Sequence, residues 1–285
     1  MTSRTSHLQT LYGLGAVVAI VIFFAPLRAL DEPGKDKEDE ARRELQLKNM
    51  KHAAGAYKLS PADDHKQLFK FHENPILRFS NPILGTKDGT AYIWSDRGRP
   101  KAIVKIYTFN NEYFSHEWQS LSENALVAER DSTILWSPTQ PGVRFEEIPD
   151  APKPAAIVVE RLQQMRSLAR KFSATYTHGS GDQKPSELRL LAQPVFRFET
   201  RDDPRSLDGA LFVFVQGTGP IGLLLLEARR KGESHQWHYA FAKLAGGAVA
   251  AKYGEKDIFL AKKYDHSGDP KQTFLILNRQ TTAKE

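Results

Sequence analysis

The 285-residue sequence contains no cysteine. This absence excludes disulfide bonds, zinc sites with thiolate ligands, cysteine nucleophiles and a lipid-modified N-terminal cysteine. It does not decide the redox compartment, because a chain of this length can bury a core large enough to fold without covalent links. With 40% hydrophobic and 26% charged residues, the composition is that of a globular protein.

The sequence also lacks a concentrated patch of basic residues. Its 40 Lys and Arg against 34 Asp and Glu give a net charge of +6, and the tightest basic group is Arg229, Arg230 and Lys231. Nucleic-acid-binding proteins usually concentrate basic residues on one element. We therefore expect a solvated surface and no nucleic-acid partner, with a mild attraction to anionic surfaces as the alternative.

Long hydrophobic runs are scarce, and the one at residues 11–27 contains no charged residue. Arg4 precedes this run, and Arg28 and an acid-rich segment follow it, an order typical of export signals. The run is at the lower limit for a helix that spans a bilayer. We expect residues 1–30 to form a signal peptide, cleaved after Ala29, or a hydrophobic transmembrane signal anchor. Either prediction implies an exported protein of the cell envelope or periplasm, membrane-anchored or secreted.

Composition suggests three further segments. Residues 31–52 alternate in charge and are rich in helix formers, which predicts a charged helical spacer. The proline-rich stretch 149–156 predicts a linker. We therefore expect a first folded unit at residues 53–150 and a second at residues 151–285.

Residues recur along these two units at a spacing of 119 or 120, which predicts an internal repeat. The recurring pairs include Pro75 and Pro194, Arg78 and Arg197, Asp88 and Asp208, His116 and His235, and Trp118 and Trp237. Each unit has a helical pattern followed by short strands with turn signals. The predicted fold class is α+β, with tandem duplicated helix-plus-antiparallel-β-meander units after an N-terminal hydrophobic helix. The strands 210–215 and 223–226 lack polar alternation and are expected to be buried on both faces.

Gly217, Gly219 and Gly222 match the G-x-G-x-x-G pattern of dinucleotide-binding loops. Such a loop must open a helix, but the short apolar run that follows is typical of a buried strand. The corresponding stretch 97–102 keeps its proline, but the three-glycine spacing is gone. We therefore predict a turn, with no nucleotide partner and no cofactor.

Catalytic and metal-binding patterns are weak. "HGSGD" at residues 178–182 places a serine beside a histidine and an aspartate, but it lacks the strand-to-helix setting of a nucleophile elbow. We predict a turn there, no catalytic residue and no metal site. Arg78 with Asp88, and Arg197 with Asp208, are expected to form ion pairs within each sheet.

His-x-Trp is the one polar-aromatic feature that recurs in both units. Residues at i and i+2 of a strand share a face, so His116 with Trp118, and His235 with Trp237, could line a ligand pocket. The alternative is an aromatic edge of the core.

The stretches "LRLLAQPVFRFE", "DGALFVFVQGTGP" and "LLLLEARR" resemble a family of functionally uncharacterised exported bacterial proteins. The resemblance runs from the N-terminal helix to the C-terminus and implies no activity. A fainter one is to periplasmic lipoprotein carriers, in "FSATYT", Pro-x-x-Arg-Phe and the following Asp-Gly. Those carriers are half-barrels that shelter acyl chains, which implies a ligand-binding role.

Three functions follow. The first is a non-catalytic binding or scaffolding module of the envelope, attached to the membrane by its N-terminal segment and partnered by an envelope protein or lipid. The second is a carrier of an apolar ligand in a concave sheet. The third is an envelope hydrolase, which only the "HGSGD" motif supports.

Overall fold

The computed structural model describes residues 35–81, 85–109, 113–179, 184–198, 203 and 205–280. The segment predicted to be a signal peptide or signal anchor lies outside these residues. The described part of the chain contains two helices and 19 strands. In chain order they are α1 (Lys35–Gly55), β1 (Lys58–Pro61), β2 (Lys70–Phe71), β3 (Leu77–Asn81), β4 (Thr86–Asp96), β5 (Arg99–Phe109), β6 (Tyr113–Ser120), β7 (Leu126–Arg130), β8 (Thr133–Trp136), β9 (Glu146–Glu147), α2 (Val158–Ala169), β10 (Phe172–Thr177), β11 (Ser186–Glu187), β12 (Arg189–Leu190), β13 (Phe196–Phe198), β14 (Ser206–Gln216), β15 (Gly219–Lys231), β16 (Ser234–Lys243), β17 (Ala248–Tyr253), β18 (Lys256–Ala261) and β19 (Phe274–Gln280).

The predicted α+β class is wrong. Strands account for 52% of the residues and helices for 13%, so the protein is mostly antiparallel β-sheet rather than a set of helix-plus-strand repeat units. The helices do occur close to the predicted places, but they are few, whereas β4, β5, β14 and β15 have 11 to 13 residues each. These four strands also contribute more buried hydrophobic residues to the core than the two helices do.

Two six-stranded sheets form the centre of the fold. The first sheet has the order β19-β6-β5-β4-β2, with β3 also paired to β4. The second sheet has the order β12-β14-β15-β16-β9, with β13 also paired to β14. The C-terminal strand β19 thus completes the first sheet, and β9, from the predicted first unit, completes the second. Each sheet therefore contains a strand from each of the two predicted units.

A central hydrophobic core contains side chains from both sheets. Ile93 and Ile103 of the first sheet belong to the same cluster as Val213, Leu223 and Leu225 of the second. The neighbouring residues of these strands, such as Phe212 and Leu224, belong instead to an outer core. The prediction that strands 210–215 and 223–226 are buried on both faces is therefore confirmed, and it explains why they lack polar alternation.

Each central sheet carries an outer core on its other face. In the first outer core, Met50 and Ala54 near the end of α1 pack with Leu59 of β1 and the β7 and β8 residues. In the second, Met165 and Leu168 of α2 pack with β10 and β17. The covering strands form a three-stranded sheet, β1-β7-β8, and a four-stranded sheet, β11-β10-β17-β18.

The hairpins β4–β5 and β14–β15 share one register. Tyr92 lies opposite Val104, and Phe212 lies opposite Leu224, which are the residues 120 positions later. Each hairpin has a register shift near its loop, at Trp94/Ser95 and at Phe214/Val215. The match extends to the strands beside β4 and β14, because Lys70 lies opposite Ser95 and Arg189 opposite Val215, again 119 and 120 positions later. Likewise, Leu77 lies opposite Ala91 and Phe196 opposite Leu211.

Strands β6 and β16, which pair with β5 and β15, do not keep that spacing. Trp118 of β6 lies opposite Val104, whereas the residue opposite Leu224 is Phe241 and Trp237 lies opposite Ala228. The expected equivalence of Trp118 and Trp237 is therefore wrong, because β6 and β16 differ in register by four residues relative to the recurring sequence. The two "His-x-Trp" stretches share their residue types but not their positions in the sheets.

Residues 40–285 belong to one compact unit. The predicted segment boundaries at 30/31, 52/53 and 150/151 stay predictions.

Candidate functional site

The His-x-Trp residues lie in two different outer cores. Trp118 is 0% exposed and packs with Trp94 and Trp136, at ring-centroid distances of 5.2 and 5.3 Å. His116 is also buried, and its Nδ1 lies 2.9 Å from Tyr57 Oη. Both residues belong to the face of the first sheet that α1 and β1 cover.

Trp237 is 1% exposed and belongs to the core beneath α2. His235 is half-buried near the β15–β16 turn, where burial, followed by the charge of Arg230, lowers its pKa. The structure thus does not bring His116 and Trp118 together with His235 and Trp237. The core interpretation of both tryptophans fits their burial.

The glycine motif forms a hairpin turn. Gln216 pairs with Gly219, so Gly217 and Thr218 make up a two-residue loop between β14 and β15, with Gly217 at φ +60°. Such a loop favours glycine at the position of positive φ. Ser80 N donates a 2.9 Å hydrogen bond to Thr218 Oγ1, which fixes the turn against β3. The predicted turn is confirmed.

The arginine–aspartate pairs form as predicted within each sheet. Arg78 donates to Asp88 through Nε and Nη2, at 3.0 and 2.8 Å. Arg197 donates to Asp208 in the same two-point manner, at 3.1 and 2.6 Å. Both arginines also donate to a helix carbonyl, that of Arg43 in α1 and that of Val158 in α2. These pairs therefore attach each helix to its sheet, a structural role.

The "HGSGD" motif is described only at His178 and Gly179. Ser180 and Asp182 lie outside the described residues, so the predicted turn there stays a prediction.

A cleft of about 660 Å³ lies where the start of β15 meets β5 and β6 of the first sheet. This volume is within the range of small-molecule sites. Its lining comes from both halves of the chain: Phe79, Asn81, Thr86, Lys105, Tyr107, Glu117, Tyr176, His178, Gly179, Gly219, Pro220, Ile221, Ala245, Gly246, Gly247, Lys263, His266 and Ile276. None of the four His-x-Trp residues is among them.

The floor of the cleft is a buried polar cluster. Lys105 and Glu117 face each other on β5 and β6, and the Lys105 ammonium contacts the Glu117 carboxylate. Lys105 Nζ also donates to Leu244 O at 2.8 Å, and Tyr107 Oη donates to Glu117 Oε1 at 2.9 Å. Because the charges of Lys105 and Glu117 offset each other, the floor is polar without a large net charge.

Two phenols border this floor. Burial, followed by the negative charge of Glu117, raises the pKa of Tyr107 well above its ordinary value. The same two causes raise the pKa of Tyr176 to about 12. Tyr176 Oη lies 3.2 Å from Nδ1 of the exposed His178. Both phenols therefore keep their protons at neutral pH.

The cleft lies beside Gly219 of the hairpin β14–β15. The matching position of the hairpin β4–β5 is occupied by a side chain. Arg99 and Gly219 are the first residues of β5 and β15, each after a two-residue loop. Arg99 is buried and contacts the Glu227 carboxylate, whereas Gly219 lines the cleft together with Tyr107, the residue 120 positions before Glu227. A glycine leaves space that an arginine side chain takes at the matching position.

Apart from residues of the quoted motifs, among them Gly219 and His178, sequence reasoning missed the cleft residues. Lys105 is the charged residue of the apolar stretch "AIVKIY", and a charge in such a strand is a signal that it must be paired. Tyr176, Lys263 and Ile276 are far away in sequence, and no local pattern marks them.

Within the described residues, no cluster of three or more His, Asp or Glu side chains could hold a metal ion. The described helices include none that is long and apolar enough to span a membrane.

No family model matches the chain, and comparisons with curated proteins and with solved structures find no match either. The resemblances noted from the sequence therefore stay expectations, and the function is argued from the cleft.

Proposed function

We propose that the folded region is a non-catalytic binding module of the cell envelope whose ligand lies in the cleft between β5, β6 and the start of β15. The proposal rests on the opening at Gly219 above the polar floor. The side chains of this floor are held by hydrogen bonds and an ion pair. Its volume of about 660 Å³ suits a small ligand or one side group of a larger partner.

The contacts of the floor favour binding over catalysis. Lys105 Nζ donates to Leu244 O and contacts Glu117, which also accepts from Tyr107. Side chains whose hydrogen bonds are already made form a rigid surface, and rigidity lowers the entropy cost of binding. The raised pKa values of Tyr107 and Tyr176 leave both phenols as hydrogen-bonding groups rather than as bases.

The envelope location rests on the charge pattern around residues 11–27. In this proposal the N-terminal segment attaches the protein to a membrane or directs its export, and the cleft faces an envelope protein, a lipid or a soluble ligand. The proposal includes no nucleic acid or nucleotide.

The test combines location and occupancy. The full 285-residue chain is expressed in its own cells, the cells are fractionated, and the protein is examined by native mass spectrometry for a co-purifying molecule. We expect the protein outside the soluble cytoplasm, with a ligand that is lost from Gly219→Arg.

A Cβ at position 219 would lie 2.9 Å from Asn81 Nδ2, 3.2 Å from Asn81 Cβ and 3.5 Å from Asn81 Cγ, so the larger side chain must displace Asn81, which also lines the cleft. Ser173→Arg, at an exposed site on β10 outside the cleft lining, is the matched control and should keep the ligand. Recovery in the soluble cytoplasm, or equal ligand loss in both variants, would refute the proposal.

A further inference from the structure

The charges around the cleft indicate which class of ligand it takes, on the assumption that the cleft is the binding site. Among its described lining residues, Glu117 is the one acid, whereas Lys105 and Lys263 are cations and His178 and His266 are imidazoles. Glu117 is occupied by Lys105 and Tyr107 at the floor. The formal charge of the lining is therefore positive even with both histidines neutral.

Lys263 is the cation that is left over. It is exposed, and it has no ion pair within the described part of the chain. Its neighbour Lys262 is equally exposed but does not line the cleft, and its carbonyl accepts a 2.8 Å hydrogen bond from Lys243 Nζ. The nearby acid Asp265 accepts from Gln272 Nε2 at 3.2 and 3.1 Å, so its carboxylate is engaged elsewhere.

Apolar side chains form part of the wall, beside the polar Asn81 and Thr86. Phe79 in the middle of β3 and Ile221 near the start of β15 are buried, and Ile276 of β19 lines the same cleft. A ligand that contacts this wall has an uncharged portion, because an unpaired charge against apolar side chains would lose its hydration without compensation.

We infer that the cleft binds a small organic anion, with its carboxylate or phosphate near Lys263 and its uncharged portion along Phe79, Ile221 and Ile276. A carboxylate and a phosphate ester share the chemistry that a lysine ammonium recognises. His178 and His266 supply further hydrogen-bonding nitrogens at the same opening. On the floor below them the charges of Lys105 and Glu117 offset each other, so the floor does not attract the anion away from Lys263.

Four probes with one ring system test the charge preference: 1-naphthoate, 1-naphthyl phosphate, neutral 1-naphthalenemethanol and cationic 1-naphthylmethylammonium. The protein is expressed as the full chain and purified in the form that the cells produce. Isothermal titration calorimetry then measures the affinity of each probe. We expect at least one anion to bind about tenfold or more tightly than the alcohol, and the ammonium to bind most weakly, since tenfold corresponds to about 1.4 kcal/mol. The ratio between the two anions distinguishes a carboxylate from a phosphate ligand.

Two adjacent lysines provide the matched variants. Lys263→Gln should weaken anion binding about five- to tenfold and leave the alcohol unchanged, which is the size expected for one charged hydrogen bond at a partly exposed site. Lys262→Gln removes the same charge one residue away and should change anion binding less than twofold. Equal losses in both variants would mean that only the general field of the protein acts, and would overturn the inference.

The outcomes separate this inference from the proposed function. If all four probes bind equally and Gly219→Arg abolishes their binding, the cleft is a binding site without anion preference, so the inference is wrong and the proposed function stands. If neither anion binds the wild-type chain, the inference is overturned as well. If the anions bind but Gly219→Arg leaves them bound, the site lies elsewhere and both proposals fail.

Discussion

Arg99 and Glu227 form a buried ion pair between the hairpin β4–β5 and strand β15. Their side chains are 5% and 0% exposed. Arg99 Nη1 also lies 3.7 Å from Asp203 Oδ2 and 3.9 Å from Glu123 Oε2, so one guanidinium faces three carboxylates. Arg229 and Arg205 in turn hold Glu123 and Asp203. This network joins the first sheet to the second. It occupies the position beside Arg99 that corresponds to the cleft beside Gly219 in the hairpin β14–β15.

Removing one partner of this pair should be costly. Glu227→Ala leaves the Arg99 guanidinium buried with only its longer contacts, and we expect a loss of about 3–5 kcal/mol in the free energy of unfolding. Lys231→Ala removes the exposed pair with Glu147 and should cost about 0–1 kcal/mol. Urea denaturation of the two variants beside the wild type gives both values. Similar losses would show that burial of the pair does not matter.

The two sheet aspartates provide a graded comparison. Asp208 is fully buried and accepts from Arg161 of α2 as well as from Arg197, whereas Asp88 accepts from the more exposed Arg78. Asp208→Asn should cost about 3–5 kcal/mol because two guanidinium groups lose their counter-charge. Asp88→Asn should cost about 1–3 kcal/mol. The reverse order in chemical denaturation would contradict the role assigned to Arg161.

The tryptophan at position 237 should behave as a core residue. Its ring packs beneath α2, and Trp237→Ala is expected to cost about 3–5 kcal/mol of stability through lost burial and the cavity left behind. His235→Ala, on the same strand but half-buried, should change stability by about 0.5 kcal/mol or less. A small loss at Trp237 would instead indicate a solvent-filled pocket there.

Lys243 should titrate at an unusually low pH for a lysine. Burial lowers its pKa to about 8, against the opposing charges of Glu117 and Asp265. Reductive methylation with a ¹³C label and an NMR titration of the lysine methyl signals would check this value. Titration of Lys243 at the ordinary lysine value of about 10.4 would contradict its burial.

The same shift has a consequence for stability. Because the folded pKa lies below the unfolded one, the unfolded chain binds more protons between about pH 8 and pH 10.4, and the stability contribution of Lys243 rises through this window. It is lost as the pH falls through 8. We therefore expect the stability of the wild type relative to Lys243→Met to increase from pH 7.5 to pH 9.5, measured by urea denaturation.

Much of the local structure was predictable because it depends on neighbours in sequence. The turn at Gly217 follows from glycine's tolerance of positive φ, and the double burial of residues 210–215 follows from the absence of polar alternation. The Arg78–Asp88 and Arg197–Asp208 pairs were predictable because their residues lie on adjacent strands of one hairpin meander. The α+β class was wrong because two helical patterns received too much weight against the much larger number of strands.

The His-x-Trp pairs show that a recurring sequence pattern does not guarantee equivalent positions in the fold. Two His-x-Trp triplets at a spacing of 119 suggested equal places for Trp118 and Trp237, but strand register is set by cross-strand pairing and not by counting residues. A shift of four residues keeps each side chain on the same face of its strand. Both tryptophans can therefore be buried although they occupy different positions.

The sequence by itself determined the hairpin loops, the doubly buried strands and the absence of cysteine chemistry, because backbone preferences and burial periodicity act over a few residues. Only the tertiary structure decided that β19 completes the first sheet and β9 the second, and that Lys263, Tyr176 and Glu117 meet around one cleft. Those contacts join residues far apart along the chain, and their energies depend on which sheet faces pack together. An open space beside Gly219, where Arg99 fills the matching position, exists only once both hairpins are assembled.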